Sequence, residues 1–199
     1  MAYPPAPWQL HGDMWLSLFR VPAAGGRPGG LYGAAWVVYR EPSPLTYHEL
    51  LVARLRRDQP GRRVTVTDIW VDSVDSLEGG RALWAIPKEM ADFGMEAASS
   101  GPLRRTSWHA ALGDRPIATA RFTDAAAVAP PVPFRYEVQQ ERADRSGVLS
   151  PVVSPVAGRG RVLPARASWD FAPDGPLGFL AGHRTLASFT LSTFRLSFG

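Results

Sequence analysis

The stretch Gly79-Gly80-Arg81-Ala82-Leu83-Trp84-Ala85-Ile86-Pro87-Lys88-Glu89-Met90 holds the only lysine of the chain; the other 21 of its 22 basic residues are arginine. Arginine stays protonated at any biological pH, whereas burial or a cationic neighbour can neutralise a lysine amine. Pro87 fixes its own backbone and holds Ile86 extended. Leu83 to Ile86 form an apolar approach, which places Lys88 at the end of a buried strand, where desolvation lowers an amine's pKa. A neutral amine is the nucleophile that carbonyl chemistry requires. The competing explanation is compositional: where arginine is written almost everywhere, one lysine can survive without a role.

Outward from this stretch, 19 glycines and 19 prolines cut the 199 residues into short segments, which favours strands over long helices. Strands are expected at Trp8 to Arg20, Leu31 to Tyr39, Val64 to Val71, Leu103 to Leu112, Ile117 to Phe122, Phe134 to Val138, Arg161 to Phe171 and Thr185 to Phe198. Along Val64 to Val71, Val64, Val66, Asp68 and Trp70 alternate with Thr65, Thr67, Ile69 and Val71. Asp72 to Gly80 reads as a turn or short helix, and Glu89 to Phe93 as the start of a short helix stopped at Gly94. Pro130-Pro131-Val132-Pro133 is a stiff connector. Leu45 to Arg57 fits two forms. Thr46-Tyr47-His48-Glu49 matches a helix capping box; as a strand, Tyr47, Glu49, Leu51, Ala53 and Leu55 share one face, with His48, Arg54 and Arg56 on the other.

Length suits one domain over residues 1–199, with enough chain to bury a sizeable core. There is no internal repeat. No apolar run approaches the roughly 20 residues that span a bilayer, so no membrane association is expected. The start, Met-Ala-Tyr-Pro-Pro-Ala-Pro, lacks the charged and apolar regions of a signal peptide, and cytoplasmic residence is the expectation. Cysteine is absent, which excludes disulfides, thiolate metal sites and a cysteine nucleophile. A net charge of +4 does not argue for nucleic acid. Only Arg54, Arg56, Arg57, Arg62 and Arg63 cluster, as expected of a solvated edge strand and turn, and no RNP-like motif accompanies them. His11, His48, His109 and His183 have no metal spacing, and no Gly-x-Ser-x-Gly element supports a serine hydrolase. Trp15, Trp36, Trp70 and Trp84 are core residues first and pocket lining second.

The run Gly80-Arg81 followed, after five residues, by Pro87-Lys88 resembles the signature of the acetoacetate decarboxylase superfamily. A second element, Tyr47-His48-Glu49, resembles the family's Tyr-x-Glu, 39 positions before Lys88. Gly182 to Leu191 is similar to its final strand. The resemblance implies a mainly β fold, a curved or closed β-barrel with a few short helices, and favours the strand form of Leu45 to Arg57. It implies that Lys88 forms a Schiff base with a ketone or keto acid and that Glu49 is its catalytic partner. Tyr47, Arg81 and Trp84 are the candidate substrate-binding residues. It implies no cofactor and no metal, a small-molecule partner and a homo-oligomer.

Three departures narrow the expectation. Glu89 stands where the family has a second lysine; a first-turn residue facing solvent is its expected role. Neither Gly12-Asp13 nor Ala34 supplies the arginine and second glutamate that the family places nearby. Acetoacetate is therefore a doubtful substrate. Aldol, dehydration or cyclisation chemistry on a keto acid ranks beside decarboxylation, and a non-catalytic binding protein for an apolar carbonyl ligand is the alternative.

Overall fold

The computed structural model describes residues 3–56, 61, 63–125 and 129–199. Strands dominate: β1 (Trp8–Val21), β2 (Gly30–Tyr39), β3 (Tyr47–Arg56) and β4 (Arg63–Val71) run antiparallel in succession. A helix, α1 (Val74–Trp84), and a two-residue strand, β5 (Glu89–Met90), follow. Then come β6 (Asp92–Ser100), β7 (Leu103–Leu112), β8 (Arg115–Ala125), β9 (Val132–Ala143), β10 (Leu149–Phe171) and β11 (Thr185–Phe198), with one 3₁₀ turn at Gly178–Leu180.

The pairing order is β11-β1-β2-β3-β4-β9-β10, and β10 pairs back onto β11. Seven strands thus form a closed circuit, which removes the exposed edges an open sheet would carry. β10 belongs to two systems. Its first part pairs β9 and β11, while Ala165–Phe171 pairs β8 and carries the β8-β7-β6 sheet. That sheet covers the outside of β1–β4 and creates a core between the layers, where Trp36 stacks on Trp108 at 5.4 Å and on Trp169 at 5.8 Å. A second apolar cluster lies inside the closed circuit.

Tyr47–Arg56 is a strand, so the capping-box form of this segment is not adopted. Its intramolecular neighbours β2 and β4 provide the reason: ladder bonds on both sides outweigh one side-chain cap. The same two neighbours show that the Arg54–Arg56 end is not an edge strand; Arg57 and Arg62 lie outside the described residues. The strict alternation expected along β4 breaks between Val52 and Ala53 of β3, where Asp68 and Val66 are their partners and Thr67 is left over. After this bulge, Ile69 joins Val64 and Val66 on the inner face while Trp70 packs outside.

The segment before Lys88 is helix rather than strand. Ser73 caps α1 by accepting from Ser76 N at 3.2 Å, and the helix continues through Gly79 and Gly80 to Trp84. Ala85, left-handed at φ 55°, ends it, and the N–H groups of Ala85 and Ile86 donate to Arg81 O and Gly80 O. Pro87 then bars any continuation. Glu89–Phe93 is likewise extended, as β5 and the start of β6. Gly94 is no helix stop: a Cβ there would lie 1.9 Å from Cε1 of its cross-strand partner His109.

Candidate active site

β3 delivers Tyr47, Glu49, Leu51, Ala53 and Leu55 to one cavity of about 370 Å³ inside the closed circuit. That is within the usual range for a small-molecule site, roughly 300–1,000 Å³. All five are the residues that alternation places on one face. His48 points the other way, with Nδ1 2.7 Å from Asp72 Oδ2 and its ring against Phe93 and Trp108.

Lys88 enters the same cavity from the segment between α1 and β5. α1 ends just before it, and β5 pairs parallel with β4 just after it, so its backbone is held at both ends. Arg81 Nε adds a third tether by donating to Lys88 O at 2.7 Å. The two glycines of α1 explain the approach. A Cβ on Gly80 would fall 2.8 Å from Lys88 Cδ and 2.9 Å from Cε, and one on Gly79 would fall 2.6 Å from Trp8 Cζ2. Each glycine costs the helix about 1 kcal/mol relative to alanine; here the lysine stem and an indole occupy the space.

The amine is 4% exposed as a residue and Glu49 3%. Lys88 Nζ donates to Glu49 Oε2 at 2.9 Å, to Ser76 Oγ at 2.8 Å and to Tyr47 OH at 3.4 Å. Three acceptors match the three N–H bonds of an ammonium. Tyr39 OH donates to the other carboxylate oxygen, Oε1, at 3.1 Å. Burial draws the Lys88 amine down, but the Glu49 charge, helped by Tyr47, holds it above its ordinary 10.5. Desolvation is thus present, as the sequence implied, yet it does not neutralise the resting amine. Burial pushes the Tyr47 hydroxyl up to about 12 against the pull of Lys88. Burial and the Glu49 charge push Tyr136 to about 12.

Of the residues singled out in the sequence, Lys88, Glu49, Tyr47 and Trp84 line this cavity. Trp84 forms an aromatic wall with Trp8 at 4.8 Å and Phe198 at 4.7 Å between ring centroids. Arg81 is exposed, does not line the cavity and acts on the Lys88 backbone. Glu89 is exposed and accepts from Trp70 Nε1 at 3.2 Å, away from the amine. Asp13 faces out, with Arg40 Nε at 3.5 Å and Thr193 N at 2.8 Å, and Ala34 packs in the outer core. Met14 and Ala35 line the cavity beside these positions.

Three polar neighbours of the pair were not anticipated: Tyr39, Ser76 and Tyr136. Ser76 lies four residues before Gly80, the spacing of one helix face, a signal readable only if α1 is known to run past Gly80. Tyr39 ends a strand apolar on both faces, where period-two reading assigns no inside.

The architecture is shared with solved structures. An enduracididine biosynthesis enzyme, MppR, with HEPES bound, aligns with a TM-score of 0.71 at 15% identity over 99% of this chain and 87% of that one. Acetoacetate decarboxylase from Legionella pneumophila aligns at 0.69 and 11% identity, over 99% and 86%. The chain has the acetoacetate decarboxylase-like fold. An acetoacetate decarboxylase-like enzyme from Sphingomonas wittichii aligns at 0.66 and 16% identity, over 100% and 92%. MppR has also been solved with pyruvate and with the condensation product of pyruvate and imidazole 4-carboxaldehyde. No protein-family model and no curated protein matches the sequence. Among the described residues, no helix is long and apolar enough to cross a membrane, and no group of three or more His, Cys, Asp or Glu could hold a metal ion.

Proposed function

We propose that this protein is a Schiff-base-forming lyase in which Lys88 attacks the carbonyl of a ketone or keto acid and Glu49 moves the protons. One observation carries the reading: the only lysine is buried in the cavity with Nζ 2.9 Å from the Glu49 carboxylate. Nζ passes its proton to Glu49 Oε2, which cancels both charges, a change that apolar surroundings favour. The free amine adds to the carbonyl carbon to give a carbinolamine. Glu49, now a carboxylic acid, returns the proton to the departing hydroxyl; water leaves, and a cationic imine remains opposite a carboxylate. The same carboxylate then takes a proton from the adjacent carbon to form an enamine. Acid–base help of this kind is typically worth about 10²–10⁴-fold.

Enamine carbon–carbon chemistry, an aldol step or dehydration, is better supported than decarboxylation. Among the described residues, no cation besides Lys88 lines the cavity to hold a departing carboxylate. MppR, on the shared fold, is complexed with pyruvate and with the condensation product of pyruvate and imidazole 4-carboxaldehyde, which supports this order. A binding protein without turnover is the second reading, favoured by the fully satisfied ammonium at rest.

Borohydride trapping separates the two. Incubation with a ketone and borohydride should add one reduced ligand to the peptide carrying Lys88, with the N-terminal amine as the only other primary amine. Lys88→Arg should abolish the adduct, because arginine keeps the charge without a usable amine. A panel of ketones and keto acids that leaves Lys88 unmodified would favour the binding protein.

A further inference from the structure

The walls of the cavity speak to its ligand. Among the described residues, Lys88 and Glu49 are its only charged lining residues, and they neutralise each other at 2.9 Å. The tyrosines 39, 47 and 136 supply the remaining hydroxyl groups, all at the end nearest the pair. Beyond them the lining is aliphatic and aromatic.

Charge count decides against an acid. A neutral ketone turns the Lys88–Glu49 pair into a cationic imine beside a carboxylate, and the sum stays zero. A keto acid adds a carboxylate that no further cation among the described lining residues meets. An unpaired charge in apolar surroundings is strongly disfavoured.

Register gives the shape. On β1, β2, β3 and β4, Leu16, Ala35, Leu51 and Ile69 form one row; Leu18, Gly33, Ala53 and Val66 form the next. Gly33, Ala35 and Ala53 are small where bulkier side chains would close the barrel, as interiors of small barrels usually are closed. From Glu49 to Leu55 the lining follows β3 for six residues, about 20 Å along the strand. A cavity of about 370 Å³ holds on the order of a dozen non-hydrogen atoms at roughly the 30 Å³ that one water occupies.

We propose that the ligand is an uncharged, elongated ketone or aldehyde of about ten to twelve non-hydrogen atoms, its carbonyl at Lys88 and its apolar chain beside Gly33, Ala35 and Ala53. The carbonyl assignment rests on the Schiff-base reading; the uncharged chain rests on the walls alone.

Two readouts on the intact protein keep these apart. In the first, nonan-2-ol and nonanoate, neither of which forms an imine, are titrated against tryptophan fluorescence, which Trp8 and Trp84 in the cavity wall report. The alcohol should bind about tenfold or more tighter than the acid, and Ala53→Leu should weaken it. Equal or tighter binding of nonanoate, or no effect of Ala53→Leu, overturns the proposed ligand class. In the second, nonan-2-one, 8-oxononanoate and pyruvate compete for borohydride trapping at Lys88. Nonan-2-one should label fastest, by about tenfold or more over either acid. In Ala53→Leu its rate should fall while that of butan-2-one persists. Faster labelling by the acids overturns the proposal even if Lys88 is modified. No labelling by any carbonyl, with the alcohol still bound, overturns the Schiff-base reading and supports the apolar cavity.

Discussion

Leu50 and Leu51 are neighbours in sequence and opposites in the fold. Leu50, fully buried, points out of the barrel into the core containing Trp36, Trp70 and Trp108. Leu51 points inward, onto the cavity that Glu49 and Lys88 share. One strand therefore carries a close-packed face that holds two layers together and an open face that lines the cavity of the proposed site. Along β3, Leu50 and Val52 pack in the outer core while Tyr47, Glu49, Leu51, Ala53 and Leu55 line the cavity.

The largest effects should come from the charged pair. Lys88→Ala leaves the Glu49 carboxylate buried without its counter-charge and should cost about 3–5 kcal/mol in denaturant unfolding, whereas Lys88→Met with Glu49→Leu should recover most of that loss. A double variant as unstable as the single one would show that the pair is not the source of the cost. On the packed face, Leu50→Ala should cost about 2–5 kcal/mol. Gly80→Ala brings a methyl to 2.8 Å from Lys88 Cδ. A misplacement of this kind should slow trapping at Lys88 by up to about 10²-fold, with a smaller effect on unfolding. On the open face, Leu51→Ala should cost about 1 kcal/mol or less, because its side chain already borders open space. Equal losses at Leu50 and Leu51 would dissolve the contrast.

The pair also sets a pH dependence of stability. The Lys88 amine is raised above 10.5 in the folded chain, so its contribution is fully present below that value and is lost as pH rises through the folded pKa. Melting curves should show no loss from this source below pH 10.5, and the Lys88→Met, Glu49→Leu variant should show a smaller alkaline decline, the remainder coming from Tyr47 and Tyr136, which burial also raises.

Local pattern made much of this legible. The alternation of Tyr47, Glu49, Leu51, Ala53 and Leu55 identified the inner face of β3, and the Pro87-Lys88 and Tyr-x-Glu elements pointed to one fold. Glycine and proline misled where they serve packing. Gly79 and Gly80 read as a stop, yet they lie inside α1 to admit Trp8 and Lys88. Gly94 makes room for His109. β10 was recognised only from Arg161 because Pro151, Pro155, Gly158 and Gly160 resemble breaks. Pro151 and Pro155 sit where β10 pairs β9 alone, so one side of the strand needs no donor. Gly158 and Gly160 admit Leu196, Leu191 and Phe194. Such close approaches connect residues distant in sequence, and no local window contains them.

The central claim is that Lys88 and Glu49 share one exchangeable proton, and the pH profile of imine formation tests it most directly. Because Glu49 takes the Lys88 proton directly in this account, the rate of borohydride trapping should stay level from about pH 6 to 9. In Glu49→Gln, burial is left as the leading influence on the amine. Its pKa should fall below 10.5, and trapping should be slower at pH 7 and climb with pH as the amine deprotonates. A Glu49→Gln protein that traps ketones at the native rate, with the native level profile, would contradict the account.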